Sequence, residues 1–195
     1  MEGTGFVYRN PLAYRLLMRL LYGRSYRRHY FALIREIGKM NVLELCCGDC
    51  QIVDYFKDNS YRGLDINPVF VASAREKGLD VTISDIREGE IPEAECILIH
   101  NSLYQFYPDH EGLINKALAS ASGKVIISEP VINLASSQNK LIAFIANSLT
   151  RVNSKKGDSA SKRFNRDEME TIFKHFNAEK VEFLGRNLMG VLSAS

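Results

Sequence analysis

Three acidic residues close three successive apolar runs in the first half of this chain: Glu44 in NVLELCCGDC, Asp65 in YRGLDINP and Asp85 in TISDIRE. Carboxylates at strand ends can accept hydrogen bonds from a polar ligand laid across those ends. Between Glu44 and the next helical pattern lies a tight run of small residues, Cys46-Cys47-Gly48-Asp49-Cys50. A strand, a sharp small-residue turn and a helix start bring backbone close to a ligand and aim N–H groups at it. Glu44 and Asp65 stand one strand–helix–strand unit apart. The pair suits a nucleotide-like cofactor, with Asp65 accepting from ribose hydroxyls.

The elements that must position these groups follow from periodicity. Apolar runs at Val42–Leu45, Tyr61–Ile66, Asp80–Ser84, Glu95–Asn101 and Lys124–Glu129 read as strands. Helical segments lie at about Gln51–Lys57, at Pro68–Lys77 with Asn67 as cap, and near His110–Ser120. An acidic loop follows the third run, and a turn at Ala121–Gly123 precedes the fifth. Strands alternating with helices at this spacing predict a parallel sheet with right-handed crossovers. The end differs. Asp167–Phe176 reads as a helix, then Glu179–Leu184 and Leu188–Ser193 as strands joined by Gly185-Arg186-Asn187, a connection short enough only for an antiparallel pair.

Ahead of Met40 two helices are expected. Leu12, Leu16, Leu17, Leu20 and Leu21 follow helical spacing, and so do Tyr30, Phe31, Ile34 and Ile37, with Ser25 as cap of the second. Val131–Ser161 reads as an insertion over the carboxyl edge of the sheet, with a short apolar helix at Leu141–Leu149 and a polar stretch at Asn153–Ser161.

With 195 residues and 46% hydrophobic content the chain can bury one core, so a single domain is expected. A net charge of +2 gives no electrostatic reason to expect nucleic acid. Arg15, Arg19, Arg24, Arg27, Arg28 and Arg35 concentrate near the start. They form the wet face of a helix or contact an anionic partner or membrane surface. The start lacks a signal-peptide pattern, and no stretch approaches the ~20 apolar residues needed to cross a bilayer. Four cysteines, two of them adjacent, do not form a secreted disulfide framework, so a cytoplasmic location is expected.

The stretch Val42–Cys50 resembles motif I of the class I S-adenosylmethionine (SAM)-dependent methyltransferases, a hydrophobic strand followed by acid-x-Gly-x-Gly-x-Gly. Glu44 matches the acid and Gly48 the central glycine, while Cys46 and Cys50 stand where the family has glycine. With the closing hairpin the resemblance runs from about Asn41 to Ser193. It implies a three-layer Rossmann-like α/β fold, its seven-stranded, mostly parallel sheet ending in an antiparallel strand. Residues 1–40 would be a helical lid, 41–130 the SAM-binding half, 131–165 an insertion, and 166–195 the last helix and hairpin. SAM is the implied cofactor, S-adenosylhomocysteine (SAH) the product, and a small-molecule or lipid-like compound the acceptor. The Asn/Asp-Pro-Pro-Tyr segment associated with methylation of base or glutamine nitrogens is missing after the fourth strand.

Carried over residue by residue, Leu45, Cys46, Cys47 and Gly48 would run beneath the methionine part of SAM, with Glu44 near its ammonium group. Asp65 would hold the ribose, Ile66 an adenine face, and Asp85 the adenine amino group with Ile86 beside it. His100–Phe106 would lie between cofactor and acceptor, with Asn101 and Ser102 on the cofactor side. There His100 is a general base or a satisfied strand-end residue, and Tyr104 lines the acceptor pocket or is core. Glu129 would face the acceptor, and Asn165 in Arg163-Phe164-Asn165 would cap the last helix. Methyl transfer from a sulfonium needs no enzyme nucleophile, because orientation alone can contribute about 7–11 kcal/mol.

Two other functions stay open. Cys47-x-x-Cys50 before a helix fits a thiol redox protein. A SAM-binding, methyltransferase-like interaction protein without catalysis is favoured by Cys46 and Cys50 and disfavoured by Asp65 and Asp85. A zinc site from Cys46, Cys47, Cys50 and Cys96 would require Cys96 to lean out of its predicted strand, so no metal is expected.

Overall fold

Seven strands make one sheet: β1 (Val42–Leu45), β2 (Tyr61–Asp65), β3 (Asp80–Ile83), β4 (Ala94–His100), β5 (Ala121–Pro130), β6 (Lys180–Leu184) and β7 (Asn187–Ser193). Their spatial order is β3-β2-β1-β4-β5-β7-β6. The first five are parallel, and β7 runs antiparallel to both β5 and β6. The computed structural model describes residues 27–56, 60–131 and 162–194. The expected first N-terminal helix, its neighbour's cap Ser25, and the insertion beyond Val131 lie outside the described residues.

Parallel strands covered on both faces alternate their side chains between two cores. In β4, Cys96 and Leu98 point to one core while Ile97 and Ile99 point to the other. On the first face, helix α1 (27–37) lays Tyr30, Leu33 and Ile37 over Val42, Leu98, Ile126 and Met189. Helix α2 (Pro68–Glu76) adds Val71 and Ala74 against Val81, Cys47 and Cys50. On the opposite face α3 (His110–Ser120) and α4 (Arg166–His175) bury Leu113, Ile114, Ala117, Met169 and Phe173. At Gly190 a Cβ would sit 2.4 Å from the Phe173 ring, so the missing side chain lets α4 lie close on β7.

Helix starts follow their capping residues. The Asn67 side chain accepts from the Val69 N–H at 3.0 Å, ahead of Pro68 in the first turn. Asn165 and Glu168 form a reciprocal capping box, with both bonds at 2.9 Å.

Four local expectations are corrected. The helix expected over Gln51–Lys57 is, among the described residues, a 3-10 turn at Gln51–Tyr55. Cys50 before it is left-handed and offers no capping bond, and the Asp49 carboxylate is taken by the Gln51 side chain at 2.7 Å. There is no turn at Ala121–Gly123, because α3 passes straight into β5 with Ala121 already extended. Gly123 makes that possible: a Cβ there would meet the Glu95 carbonyl oxygen at 2.7 Å. The final hairpin turns on Gly185-Arg186 alone, with Asn187 already in β7. Phe31, read as part of the buried stripe of α1, is 54% exposed, and Leu33 takes the buried position instead.

The register sets the site. Asp65 pairs with Ile83, His100 with Ser128, and Pro130 with Asn187, so Asp65, His100 and Glu129 all reach one carboxyl edge. No helix among the described residues is long and apolar enough to cross a membrane.

Candidate active site

The turn after β1 is wound through the left-handed region three times, at Cys46 (φ 53°), Gly48 (φ 54°) and Cys50 (φ 55°). Glycine adopts this conformation freely, whereas an L-residue there costs roughly 1–2 kcal/mol. Both cysteines therefore keep the backbone of the glycines they replace in the motif I pattern. Hydrogen bonds hold them there. The Cys47 N–H donates to the Leu64 carbonyl at 3.0 Å, the Cys50 N–H to the Cys47 carbonyl at 2.9 Å, and the Gly48 N–H to Asp65 Oδ2 at 2.7 Å. A Cβ on Gly48 would meet nothing within 4 Å, so its backbone faces open space. At Gly63 in β2 a Cβ would lie 2.7 Å from Cys47 Sγ, so this glycine makes room for the turn.

Asp65 is buried, and its second oxygen accepts from the Asn67 N–H at 2.7 Å. Burial raises its pKa while the N–H donors of Asn67 and Gly48 oppose the rise. Ile66 is 55% exposed and Ile83, the register partner of Asp65, is 52% exposed. Two large apolar side chains thus stand open beside the carboxylate. Asp85 lies further along the same edge and is held by Arg87, with Oδ1 to Nε at 2.9 Å and Oδ2 to Nη2 at 2.7 Å. This pairing keeps its pKa below the ordinary value. Ile86 and Leu45 are buried in the core on the α3 side, so only their backbone borders the edge.

Glu44 is buried on the α1 side of β1. Its Oε2 accepts from the Tyr61 hydroxyl at 2.5 Å and its Oε1 lies 3.9 Å from His100 Nδ1. Desolvation raises its pKa well above the usual range. His100 Nε2 meets His29 Nε2 of α1 at 2.8 Å and Asn101 Nδ2 at 3.0 Å. Asn187 Nδ2 donates to Asn101 Oδ1 at 2.6 Å, which fixes that amide with its donors toward His100. His100 Nε2 is then an acceptor, its proton sits on Nδ1 facing Glu44, and His29 donates. Burial lowers the pKa of His100 well below 6.5 and that of His29 to about 4. Both rings are neutral; His100 Nδ1 stands beyond hydrogen-bond reach of Glu44, and His29 Nδ1 has no hydrogen-bond partner among the described residues.

The other side of the edge carries Glu129, which is 1% exposed. Its Oε1 accepts from the Leu103 N–H at 2.6 Å, while Oε2 has no hydrogen-bond partner. Burial pushes its pKa up to about 7, against the opposing pull of the Leu103 N–H and the Arg163 charge. The neighbouring Ser102 hydroxyl is also buried without a hydrogen-bond partner. Tyr104 packs at the edge of the core, with the Arg163 guanidinium 3.4 Å from its ring centre. Cys46 lies between the two sides, for Asp65, Glu44 and Glu129 all raise its thiol pKa, which burial pushes up to about 12. Such a thiol stays protonated at neutral pH. The Cys47 thiol is raised and that of Cys50 lowered, because the first hydrogen-bonds the second. Cys96 is buried in β4, in register with the first residue of β1 and away from the turn.

Thus Glu44 lies 3.9 Å from His100, Asp65 meets the Gly48 backbone, and Glu129 meets the Ser102–Leu103 turn, whereas the Asp85 carboxylate is bonded, among the described residues, within its own loop. Four polar side chains here escaped the sequence: His29, Tyr61, Arg163 and Asn187. His29 lies four residues before Leu33, so helical spacing could have placed it on the buried stripe. Arg163 and Asn187 meet partners far away along the chain, which no local pattern reveals.

No family model matches the chain. Trans-aconitate 2-methyltransferases of Mycobacterium tuberculosis and Mycobacterium bovis are 26% identical to it over 94 residues, 45% of this chain and 36% of theirs. The match thus spans about a third of the length of these curated relatives. Among solved structures, a methyltransferase of Thermotoga maritima described as a possible histamine N-methyltransferase superposes with a TM-score of 0.69 at 11% identity, covering 97% of this chain and 98% of that one. Magnesium protoporphyrin IX methyltransferase from Synechocystis with bound SAH gives 0.61 at 11% identity, over 91% and 93%. Human N-acetylserotonin methyltransferase in complex with SAM gives 0.65 at 11% identity, over 95% and 57%. With the strand order and the reversed β7, these likenesses show that the chain has the fold of the class I SAM-dependent methyltransferases.

Proposed function

We propose that this chain transfers the methyl group of SAM to a small-molecule or lipid-like acceptor. The observation that carries this reading is the turn Cys46–Cys50, left-handed at three positions and bonded through the Gly48 N–H to the Asp65 carboxylate. The residues present fit the cofactor. Gly48 offers open backbone, Asp65 a carboxylate for ribose hydroxyls, and Ile66 and Ile83 exposed apolar surface for a flat base. Asp85 would accept from the base amino group, sharing its oxygens with Arg87. Leu45, Cys46, Cys47, Asn101 and Ser102 contribute the floor, and Ile86 supports it from below.

When bound, SAM supplies an electrophilic methyl group on a sulfonium. The chain's own contribution is orientation and proton handling. Glu129 Oε2 would take the proton of an acceptor hydroxyl or amine, and a pKa of about 7 leaves that carboxyl part-ionised near neutral pH. Tyr104 forms the adjacent wall. His100, bonded through Nε2 to His29 and Asn101, would brace the end of β4 in this proposal. The expected lid over residues 1–40 is narrowed, because α1 is packed on the face of the sheet; in this proposal the segment ahead of α1 closes over the acceptor, and α1 reaches the edge through His29.

Calorimetry with SAM and SAH tests the binding half, and conversion of SAM to SAH in a small-molecule extract tests turnover. Micromolar binding with extract-dependent SAH release is expected. A folded protein that binds neither compound would overturn the proposal, and one that binds both yet never turns over would favour the non-catalytic interaction protein.

A further inference from the structure

Three basic side chains, Lys162, Arg163 and Arg166, lie at the start of α4, and two have clear partners. Lys162 Nζ lies 3.1 Å from Glu168 and Arg166 Nε 2.7 Å from Glu170. Arg163 has no described carboxylate within ion-pair distance. Its guanidinium lies instead over Tyr104 at 3.4 Å from the ring centre. A guanidinium stacked on an aromatic face keeps its in-plane N–H groups free for a planar oxyanion. Its charge acts on the buried Glu129, whose Oε2 has no hydrogen-bond partner among the described residues, and neither has the hydroxyl of nearby Ser102. Buried polar groups are almost always satisfied, so these groups near a cation with no carboxylate partner among the described residues point to a ligand.

We propose that Arg163 is the specificity residue of the acceptor site and that the acceptor is a small molecule bearing a carboxylate. This rests on the methyltransferase reading above. Arg163 is not simply the counter-ion of Glu129. A close ion pair would hold that carboxyl below its ordinary value, and burial raises it instead. The charge balance also selects the ligand. One guanidinium matches one monoanion, and the Glu129 carboxyl near it disfavours a phosphate dianion. A carboxylate can take two parallel N–H bonds from the guanidinium edge, which fixes its orientation as well as its position. An additional hydroxyl or amino group on the same molecule would satisfy Glu129 Oε2 and Ser102.

The test uses the full chain saturated with SAH. Thermal shift screens trans-aconitate, citrate, 3-hydroxybutyrate, salicylate and anthranilate at millimolar concentration, with their methyl esters and phenyl phosphate as controls. Calorimetry then measures the best binder. At least one carboxylate should stabilise the complex, its ester should not, and Arg163→Gln should weaken its binding at least about tenfold. Arg163→Lys should retain part of the affinity, and SAH affinity should be unchanged in both variants. The proposal is overturned if no carboxylate stabilises the complex, if an ester or phenyl phosphate binds as well, or if Arg163→Gln binds as tightly as wild type. Failure of SAH to bind the wild type would overturn the methyltransferase reading as well; SAH binding without carboxylate binding overturns this proposal alone.

Discussion

Glu129→Gln should flatten the fall of stability as pH rises from 4.5 through about 7. In the native protein the Glu129 carboxyl is fully buried, so folding favours its neutral form and the pKa rises from 4.5 to about 7. The stabilisation of a raised carboxyl is complete below its unfolded pKa and is lost as pH rises through its folded pKa. At about 1.4 kcal/mol per pH unit, wild type should lose about 3 kcal/mol from this group between pH 4.5 and 8. Glutamine keeps an oxygen for the Leu103 N–H, now at 2.6 Å, and has nothing to ionise. Its amide donors add an offset of about 1–3 kcal/mol that depends on how they are met, but that offset does not vary with pH. Glu44 and Asp65, whose pKa values are also raised by burial, titrate in both proteins and cancel in the difference. Urea unfolding of both proteins at half-unit steps from pH 4.5 to 8 measures it. The difference in unfolding free energy should shift by about 3 kcal/mol in favour of the variant as pH rises. A difference flat to within ~0.5 kcal/mol would refute the reasoning, because Glu129 would then be solvated or firmly paired. Arg163→Gln should steepen the wild-type dependence, since the arginine charge opposes the rise.

Asp65→Ala should weaken SAM binding at least about tenfold and also lower stability by about 1–3 kcal/mol, because the Gly48 N–H loses its 2.7 Å acceptor; calorimetry with unchanged affinity would remove Asp65 from the cofactor site. Cys46→Gly should keep SAM binding and leave stability equal or higher by up to about 1 kcal/mol, the relief of left-handed strain exceeding the entropy cost of glycine. Cys50→Gly should show no such gain on thermal melting, because Cys50 is 1% exposed and its packing is lost too. Gly63→Ala should destabilise by about 1–3 kcal/mol, since the new methyl would sit 2.7 Å from Cys47 Sγ, and a neutral result in denaturant would mean the turn can shift freely. Deleting residues 1–28 should preserve a thermal shift by SAH and abolish turnover, and normal methylation by the truncated protein would refute the lid.

The alternation of apolar runs with helical segments, the caps Asn67 and Asn165 and the closing hairpin determined the fold class, because each is a local pattern that few architectures satisfy together. Strand ends were equally legible, so Glu44, Asp65, Asp85, His100 and Glu129 could be named as edge residues from position alone. What each of them does at that edge was decided by tertiary structure. Cys46 and Cys50 take glycine's backbone only because β2 supplies the Leu64 carbonyl and the Asp65 carboxylate to bond the turn. His100 reads in sequence as a base or a satisfied strand-end residue, and only the packing of α1 brings His29 against its Nε2, beside the Asn101 amide. Arg163 was a helix-flanking residue until the fold laid it on Tyr104 beside Glu129, more than thirty residues from either. Hydrophobic periodicity records which face of an element is buried. Hydrogen-bond partners and desolvation depend on which distant strand or helix lies opposite, and only the packed sheet specifies that.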